Sequence, residues 1–452
     1  MQARTSLQPA EIEEVSAALR AANQTFASRY PGESNRRQAV HSVYGGAHLF
    51  KADLAQKLGV AALRSLEEYA PDAASLAQVL GTDGNAELSH KVYQRVVEKL
   101  RREPIEDFRL DFEDGYGNRA DAEEDGHAAS SAAEVARGFA EKSLPPFIGI
   151  RIKPLNEDLR ARSVRTLDIF VSALLSNTNG QLPDNFVVTV PKVQLAEQMR
   201  AAVRICELLE QRNGLAAGAL QLEPMIETPQ AIINQDGRSA IGSFIDAAEG
   251  RSRSIHFGVY DYTASCGITA AHQAMGHPTC DFARQVMLVS TAGTGIHLSD
   301  GATNILPVGP RRASEGKPLT SDELRQNREA VHGAWRLGFT DNMHSLRNGF
   351  YQGWDLHPAQ FVTRYAAVYH FFLGSLTSAS NRLKAFVEKA ALASLHGDVF
   401  DDAATGQGLL NFFLRGMACG AITEDEALET GLSLAELRSR SFLKILEARR
   451  GR

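Results

Sequence analysis

The chain has 452 residues, 44% of them hydrophobic and 23% charged, and a formal net charge of -6. Those proportions exclude a disordered or collagen-like chain and allow one large domain with appendages, or two domains. The acidic balance gives no general field for nucleic acid, and Cys206, Cys266, Cys280 and Cys419 include no Cys-x-x-Cys pair, so neither a disulfide framework nor a structural zinc site is expected.

Residues 1 to 38 read as a helical segment through "PAEIEEVSAALRAANQTFASRYP". The opening residues lack the apolar run of a secretory signal, and no stretch of about 18 apolar residues suggests a membrane span. A soluble, cytoplasmic protein without a membrane partner is therefore expected. Runs rich in Val, Ile and Phe then alternate with helix-patterned segments rich in Ala, Leu, Glu and Arg, which argues for parallel strands in an α/β protein. The predicted strands are "AVHSVYGG" (39 to 46), "DFRLDFED" (107 to 114), "PFIGIRIKP" (146 to 154), "NFVVTVPKV" (185 to 193), "LQLEPMIET" (220 to 228), "SIHFGVYDY" (254 to 262), "GIHLSDGA" (295 to 302) and "YQGWDLHP" (351 to 358). Most are spaced by roughly 35 to 50 residues, enough for one helix and two loops, so a (β/α)8 TIM barrel is the economical closure and a doubly wound open sheet the runner-up. The expected layout is a barrel over residues 39 to 360 with a helical insert at about 47 to 105, followed by a C-terminal helical region from 361 to 452.

The polar residues recur at predicted strand ends, which converge on one face of a barrel. Asp111, Glu113 and Asp114 close the second strand, Arg151 and Lys153 the third, Lys192 the fourth, Glu227 the fifth, Asp261 the sixth and His357 the eighth. The crowded carboxylates of "RLDFEDGYGNRADAEED" require a cation, a basic partner or bulk water. Glu227 and Asp261 are candidate Mg²⁺ (or Mn²⁺) ligands, because two hard carboxylates leave coordination sites for water and substrate oxygens; both could instead be caps or turn residues. Arg151, inside the apolar run "IGIRIKPL", needs a carboxylate or a ligand. It could bind a 2-oxo acid or an enolate oxygen, or form an ion pair within the barrel with Glu113 or Asp114. Lys192 could be a Schiff-base lysine, but a cation balancing the acidic cluster is the preferred reading. His41, His256 and His297 read as hydrogen-bonded core groups, and Cys266 as structural. "GYG" at 115 to 117 lacks the rest of a dinucleotide fingerprint, no P-loop is present, and "GPRR" at 309 to 312 reads as a solvated loop.

Six motifs in register resemble the citrate lyase beta subunit and malyl-CoA lyase family of metal-dependent aldolases: "LDFEDGYG", "GIRIKPL", "VVTVPKV", "EPMIETP", "FGVYDYTASCGI" and "GWDLHPAQ". The resemblance implies a barrel of the phosphoenolpyruvate/pyruvate type with helical N-terminal and C-terminal additions. It also implies that Glu227 and Asp261 hold Mg²⁺, that Arg151 binds substrate and enolate, and that Glu113 and Asp114 hydrogen-bond metal-bound water. The segment "HGDVFDDAATGQG" looks like the family's C-terminal acid/base region, with Asp401 the match and Asp402 its rival, acting in some members on a neighbouring subunit. A homo-oligomer, trimer or hexamer, is implied. The insert after the first strand, the extra sequence from Phe339 to Tyr351 and the acidic "DAEED" mark a divergent, longer member. The expected activity is Mg-dependent carbon-carbon cleavage or aldol addition through an enolate of a 2-oxo acid or a 3-hydroxyacyl-CoA. The alternatives are a CoA-independent 2-oxo acid aldolase and a non-catalytic metabolite-binding barrel.

Overall fold

The computed structural model describes residues 6–34, 36–314, 317–388, 394–396, 399–401 and 403–450, the side chains at 394–404 and 450 excepted. Eight parallel strands close into a barrel in chain order: β1 (His41–Gly46), β2 (Asp107–Asp111), β3 (Phe147–Arg151), β4 (Phe186–Val190), β5 (Gln221–Ile226), β6 (Ser254–Phe257), β7 (His297–Ala302) and β8 (Gln352–Trp354), which pairs back onto β1. All eight predicted strands are present, each trimmed at one or both ends. The open-sheet alternative is thereby set aside.

The helices up to the end of the barrel are α1 (Pro9–Arg29), α2 (Leu54–Tyr69), α3 (Ala73–Leu80), α4 (Ala86–Arg102), α5 (Asp121–Glu141), α6 (Arg160–Asn177), α7 (Ala196–Asn213), α8 (Pro229–Ile232), α9 (Ile241–Ala247), α10 (Val259–Ser265), α11 (Pro278–Thr291), α12 (Ser321–Arg347) and α13 (Pro358–Glu388). The chain continues through a small antiparallel hairpin, β9 (Ser394–His396) and β10 (Val399–Asp401), into α14 (Ala403–Ala418), α15 (Glu424–Leu428), α16 (Leu434–Arg438) and α17 (Phe442–Arg450). Helices α2 and α4, lying between β1 and β2, pack against α13. Arg95 ties α4 to the C-terminal helices by donating to the Ala421 carbonyl at 2.5 Å and to Glu426 at 2.6 Å. α1 has no buried residue, and near its end Arg29 donates to Asp246 at 3.0 Å and the Gly32 N–H to the Gly293 carbonyl at 2.8 Å. Among the described residues no helix is long and apolar enough to cross a membrane.

The period of two along each strand sorts side chains between two environments. On β2, Phe108 packs on Phe50 while the following Phe112 packs on Phe170 of α6, both in the layer between strands and helices. The alternate residues Asp107, Arg109 and Asp111 enter the barrel, whose interior is ionic rather than aliphatic. Arg109 donates to Asp107, to Glu223 at 3.2 Å and to Thr189 at 3.2 Å, and Thr189 donates to Glu223 at 2.9 Å. Ser42 donates to Asp107 at 2.5 Å and Ser254 to Glu223. These contacts meet the demand that buried charges be paired and hydrogen-bonded. Against the cost of burial, Arg109 and His256 hold Glu223 below the usual carboxylate range. Gly149 of β3 has no side chain for a steric reason: a Cβ there would lie 2.1 Å from the Val187 carbonyl of β4.

Candidate active site

The C-terminal mouth of the barrel is organised by one buried ion pair. β2 and β3 run in a register that sets Asp111 opposite Arg151. The Asp111 carboxylate accepts from Arg151 Nε at 2.7 Å and Nη2 at 2.5 Å, a bidentate geometry that only a guanidinium fork supplies. The same two oxygens accept the N–H groups of Glu113 at 2.9 Å and Gly115 at 2.7 Å. The turn after β2 is thus wound around Asp111, and a Cβ at Gly115 would lie 2.6 Å from the carboxylate. This winding aims Glu113 and Asp114 back at Arg151, whose Nη1 lies 3.1 Å from Glu113 and 3.6 Å from Asp114. The guanidinium is roofed by Tyr44, 4.9 Å from its ring centre, and flanked by Trp354 at 5.9 Å. Tyr44 and Trp354 both reach His256 Nδ1, at 3.1 and 3.3 Å.

Lys192 follows β4 with φ of +50°, a left-handed backbone unusual for a side-chain-bearing residue. That turn points its N–H at Glu227 Oε1, 2.6 Å away, and lets its ammonium drop among the acids. Nζ donates to Glu113 and lies 3.4 Å from Asp114 and 3.5 Å from Asp261. These partners outweigh burial and raise the Lys192 ammonium above its ordinary range, so it stays charged. Glu227 follows β5 and is buried. Gly258 makes room for it, since a Cβ there would lie 2.3 Å from Glu227 Oε2. Asp261 is not on a strand: β6 stops at Phe257, and Asp261 occupies the first turn of α10 with its side chain partly exposed. A carboxylate there is favoured by the helix dipole, so the helix-terminus reading of Asp261 describes its backbone whatever its chemistry.

Carboxylates outnumber cations at this mouth, because Arg151 and Lys192 together face the five acids Asp111, Glu113, Asp114, Glu227 and Asp261. Burial, then Glu113 and Asp261, raises the Glu227 carboxyl to about 8. Burial and the Asp114 charge raise Glu113 to about 7 despite Arg151 and Lys192. Among the described residues Glu113 Oε2 has no hydrogen-bond partner, since Arg151 Nη1 at 3.1 Å approaches it outside hydrogen-bond geometry. A further cation would relieve all of these strains, and the donors present are the hard oxygens that Mg²⁺ prefers. Among the described residues no group of three or more His, Cys, Asp or Glu side chains is arranged to hold a metal ion. A cation here would rest on two protein ligands, Glu227 and Asp261, with water and substrate oxygens completing its shell.

Six of the seven residues singled out in the sequence, Arg151, Glu113, Asp114, Lys192, Glu227 and Asp261, share this mouth. The seventh, Asp401, ends β10, and its side chain lies outside the described part of the structure, as does the whole of its rival Asp402. Of the two roles the sequence offered Arg151, the ion pair with Glu113 or Asp114 is present at 3.1 and 3.6 Å, but the principal partner is Asp111, which that reading did not name. It also gave no role to Tyr44, Trp354 or Gly258. Only the last left a trace in the sequence, as the small residue preceding "VYD".

The molecule is therefore a (β/α)8 barrel whose C-terminal mouth gathers carboxylates around an arginine and a lysine, the face on which such barrels carry their catalytic groups. The chain belongs to the family described as "Domain of unknown function (DUF6986)", whose model matches residues 19–445. No curated protein matches the sequence. Among solved structures, a citrate lyase from Burkholderia xenovorans LB400 is similar with a TM-score of 0.55 at 17% identity, over 87% of this chain and 96% of that one. CitE from Mycobacterium tuberculosis, in complex with magnesium, acetoacetate and coenzyme A, has a TM-score of 0.45 at 14% identity, over 86% of this chain and 100% of its own. A Haloferax volcanii malate synthase in a magnesium/glyoxylate complex has a TM-score of 0.43 at 15% identity, over 92% and 97%. At these identities the Burkholderia likeness is one of fold.

Proposed function

We propose that the protein is a Mg²⁺-dependent carbon-carbon lyase or aldolase that works through an enolate of a 2-oxo acid or an acyl-CoA. The observation that carries this reading is the convergence of Glu227 and Asp261 with Arg151 at one barrel mouth, in an array with a surplus of negative charge. The divalent ion would supply Lewis-acid stabilisation of developing oxyanion charge. The protein's own contribution begins with Arg151. Its plane is fixed by Asp111 and roofed by Tyr44, so Nη1, which faces Glu113 and Asp114 at the mouth, is the edge that would hold a substrate carboxylate or enolate oxygen. Glu113 and Asp114 orient water at the mouth, and Lys192 fixes Glu113 from the opposite side. Asp401, or its neighbour Asp402, is the proposed proton donor or acceptor. It would come from an adjoining subunit of a homo-oligomer, a role that rests on the match of the surrounding segment alone.

The test is turnover on a panel of 4-hydroxy-2-oxo acids, 2-hydroxy acids and their CoA thioesters, with Mg²⁺ and with EDTA. The expected result is activity with Mg²⁺ that EDTA and Glu227→Gln abolish. Undiminished turnover in Glu227→Gln would overturn the mechanism. Activity on the free acids alone would assign a CoA-independent aldolase. A second reading has one observation behind it: Lys192 Nζ already sits against Glu113, Asp114 and Asp261, where it could balance the acids of a metal-free metabolite-binding barrel. Calorimetric titration with Mg²⁺ and pyruvate separates the two, since that barrel would bind pyruvate without the ion.

A further inference from the structure

At the opposite, N-terminal mouth of the barrel lies a cavity of about 40 Å³, room for roughly two or three waters or one small anion. Its inner wall is the Asp107, Arg109 and Glu223 network, in which the carboxylate oxygens already accept from Arg109, Ser42, Thr189 and Ser254. Of the cations around it, Arg37 is taken up by Glu103 and Glu106. Arg36 and Arg253 are different, because among the described residues neither has a carboxylate partner. Arg36 Nε donates to the Ser34 hydroxyl at 3.3 Å, while Arg253 donates to Gln221 at 3.3 Å and Asn185 at 2.9 Å, both neutral acceptors. The same cavity is lined by His297, 8% exposed, whose Nε2 has no hydrogen-bond partner among the described residues. A buried ring nitrogen of that kind calls for an explanation. Burial together with Arg415, Arg36 and Arg253 pushes this imidazole down to about 3, so the ring is neutral and can carry its one proton on Nε2. Two guanidiniums without a carboxylate partner among the described residues and an unpartnered ring nitrogen able to donate therefore line one small cavity.

We propose that this cavity binds a small oxyanion of the phosphate or sulfate type, held by the guanidiniums of Arg36 and Arg253 and by the Nε2–H of His297. The anion would satisfy the buried donor, cancel the repulsion between the two arginines and fasten the approach segment around Arg36 to the barrel floor. The site is at the other end of the barrel from Glu227 and Asp261, so its existence does not depend on the lyase reading.

The experiment is calorimetric titration of inorganic phosphate into the full-length protein in chloride buffer with EDTA, repeated with sulfate and with glycerol phosphate. Saturable binding of one anion per chain is expected, with the His297 Nε2 resonance shifting along the same isotherm. Arg36→Gln and Arg253→Gln should each weaken it by about tenfold or more, the size of one charge-assisted hydrogen bond. Asp261→Asn, at the far mouth, should leave it unchanged. Arg36 is exposed, so its variant tests the site even if Arg253→Gln fails to fold. Glycerol phosphate binding as tightly as phosphate would assign the end of a phosphate monoester, and its exclusion a free inorganic anion. Absence of saturable heat, an affinity indifferent to Arg36→Gln, or an affinity altered by Asp261→Asn would overturn the proposal.

Discussion

Replacing Asp111 with Asn tests whether the mouth is built around its pairing with Arg151. Asp111 is 1% exposed and its two oxygens receive four hydrogen bonds, two from Arg151 and two from the backbone of the following turn. An asparagine keeps one oxygen and turns an amino group toward donors, leaving the guanidinium without its principal counter-charge. Removing one partner of a buried pair costs about 3 to 5 kcal/mol, against about 1 to 3 for a neutral group left unsatisfied. Glu113 and the Tyr44 face remain beside Arg151, so the lower end, about 3 kcal/mol, is expected. Although burial alone would raise the Asp111 carboxyl, Arg151 and the turn N–H groups hold it below 3.8. Its stabilisation is therefore present above that pH and is lost as pH falls through the folded value, so the deficit of the variant should shrink in acid. Urea unfolding at neutral and acid pH measures both effects. Adding Arg151→Met to Asp111→Asn should recover at least about 1 kcal/mol, a coupling of the size found for directly contacting residues. A loss below about 1 kcal/mol in the single variant, the cost of an exposed pair, would refute the reasoning.

The raised carboxyls predict an unusual pH profile for the metal-free protein. Glu227 titrates at about 8 and Glu113 at about 7 when folded, against 4.5 for the ordinary side chain, so the folded chain retains protons that the unfolded chain has released. Their contribution is full below 4.5 and is lost as pH rises toward 8; thermal unfolding in EDTA should show Tm falling over that window, and Glu227→Gln should flatten the slope. Gly258→Ala places a Cβ 2.3 Å from Glu227 Oε2 and should weaken Mg²⁺ binding, measured by calorimetry, with little change in the circular dichroism of the fold. Gly149→Ala puts a Cβ 2.1 Å from the Val187 carbonyl and should force β3 from β4. A cost above about 3 kcal/mol in urea unfolding is expected, beyond ordinary overpacking, and a fully stable variant would contradict the strand register.

The strands were legible in the sequence because a parallel barrel covers both strand faces and leaves apolar runs such as "FIGIR" and "FVVTV". Their ends were not, because the functional groups belong to the loops that follow. Lys192 lies past β4 on a left-handed turn, and Asp261 lies on α10, where "GVYD" continues the apolar pattern of a strand into a helix. The pairing of Asp111 with Arg151 was hidden for another reason: it depends on inter-strand register across α5, which no local pattern encodes. The three strand histidines illustrate the same limit. His41 is held by Asp355 at 2.7 Å and Tyr365 at 3.1 Å, and His256 by Tyr44 and Trp354, as expected of core groups. His297 looks no different in sequence, yet while His256 Nε2 at least lies 3.0 Å from Glu223 Oε2, His297 Nε2 has neither a hydrogen-bond partner nor a carboxylate beside it among the described residues.

The ionic filling of the barrel has an evolutionary consequence. Arg109, Asp107, Glu223, Thr189 and Ser254 interlock so closely that a change at any one of them strands a buried neighbour without its partner. Substitution here should proceed by concerted replacement, with an aliphatic set arriving together or the polar set persisting intact. Lineages that share this fold would then fall into two discrete camps at these five positions, with few intermediates surviving between them.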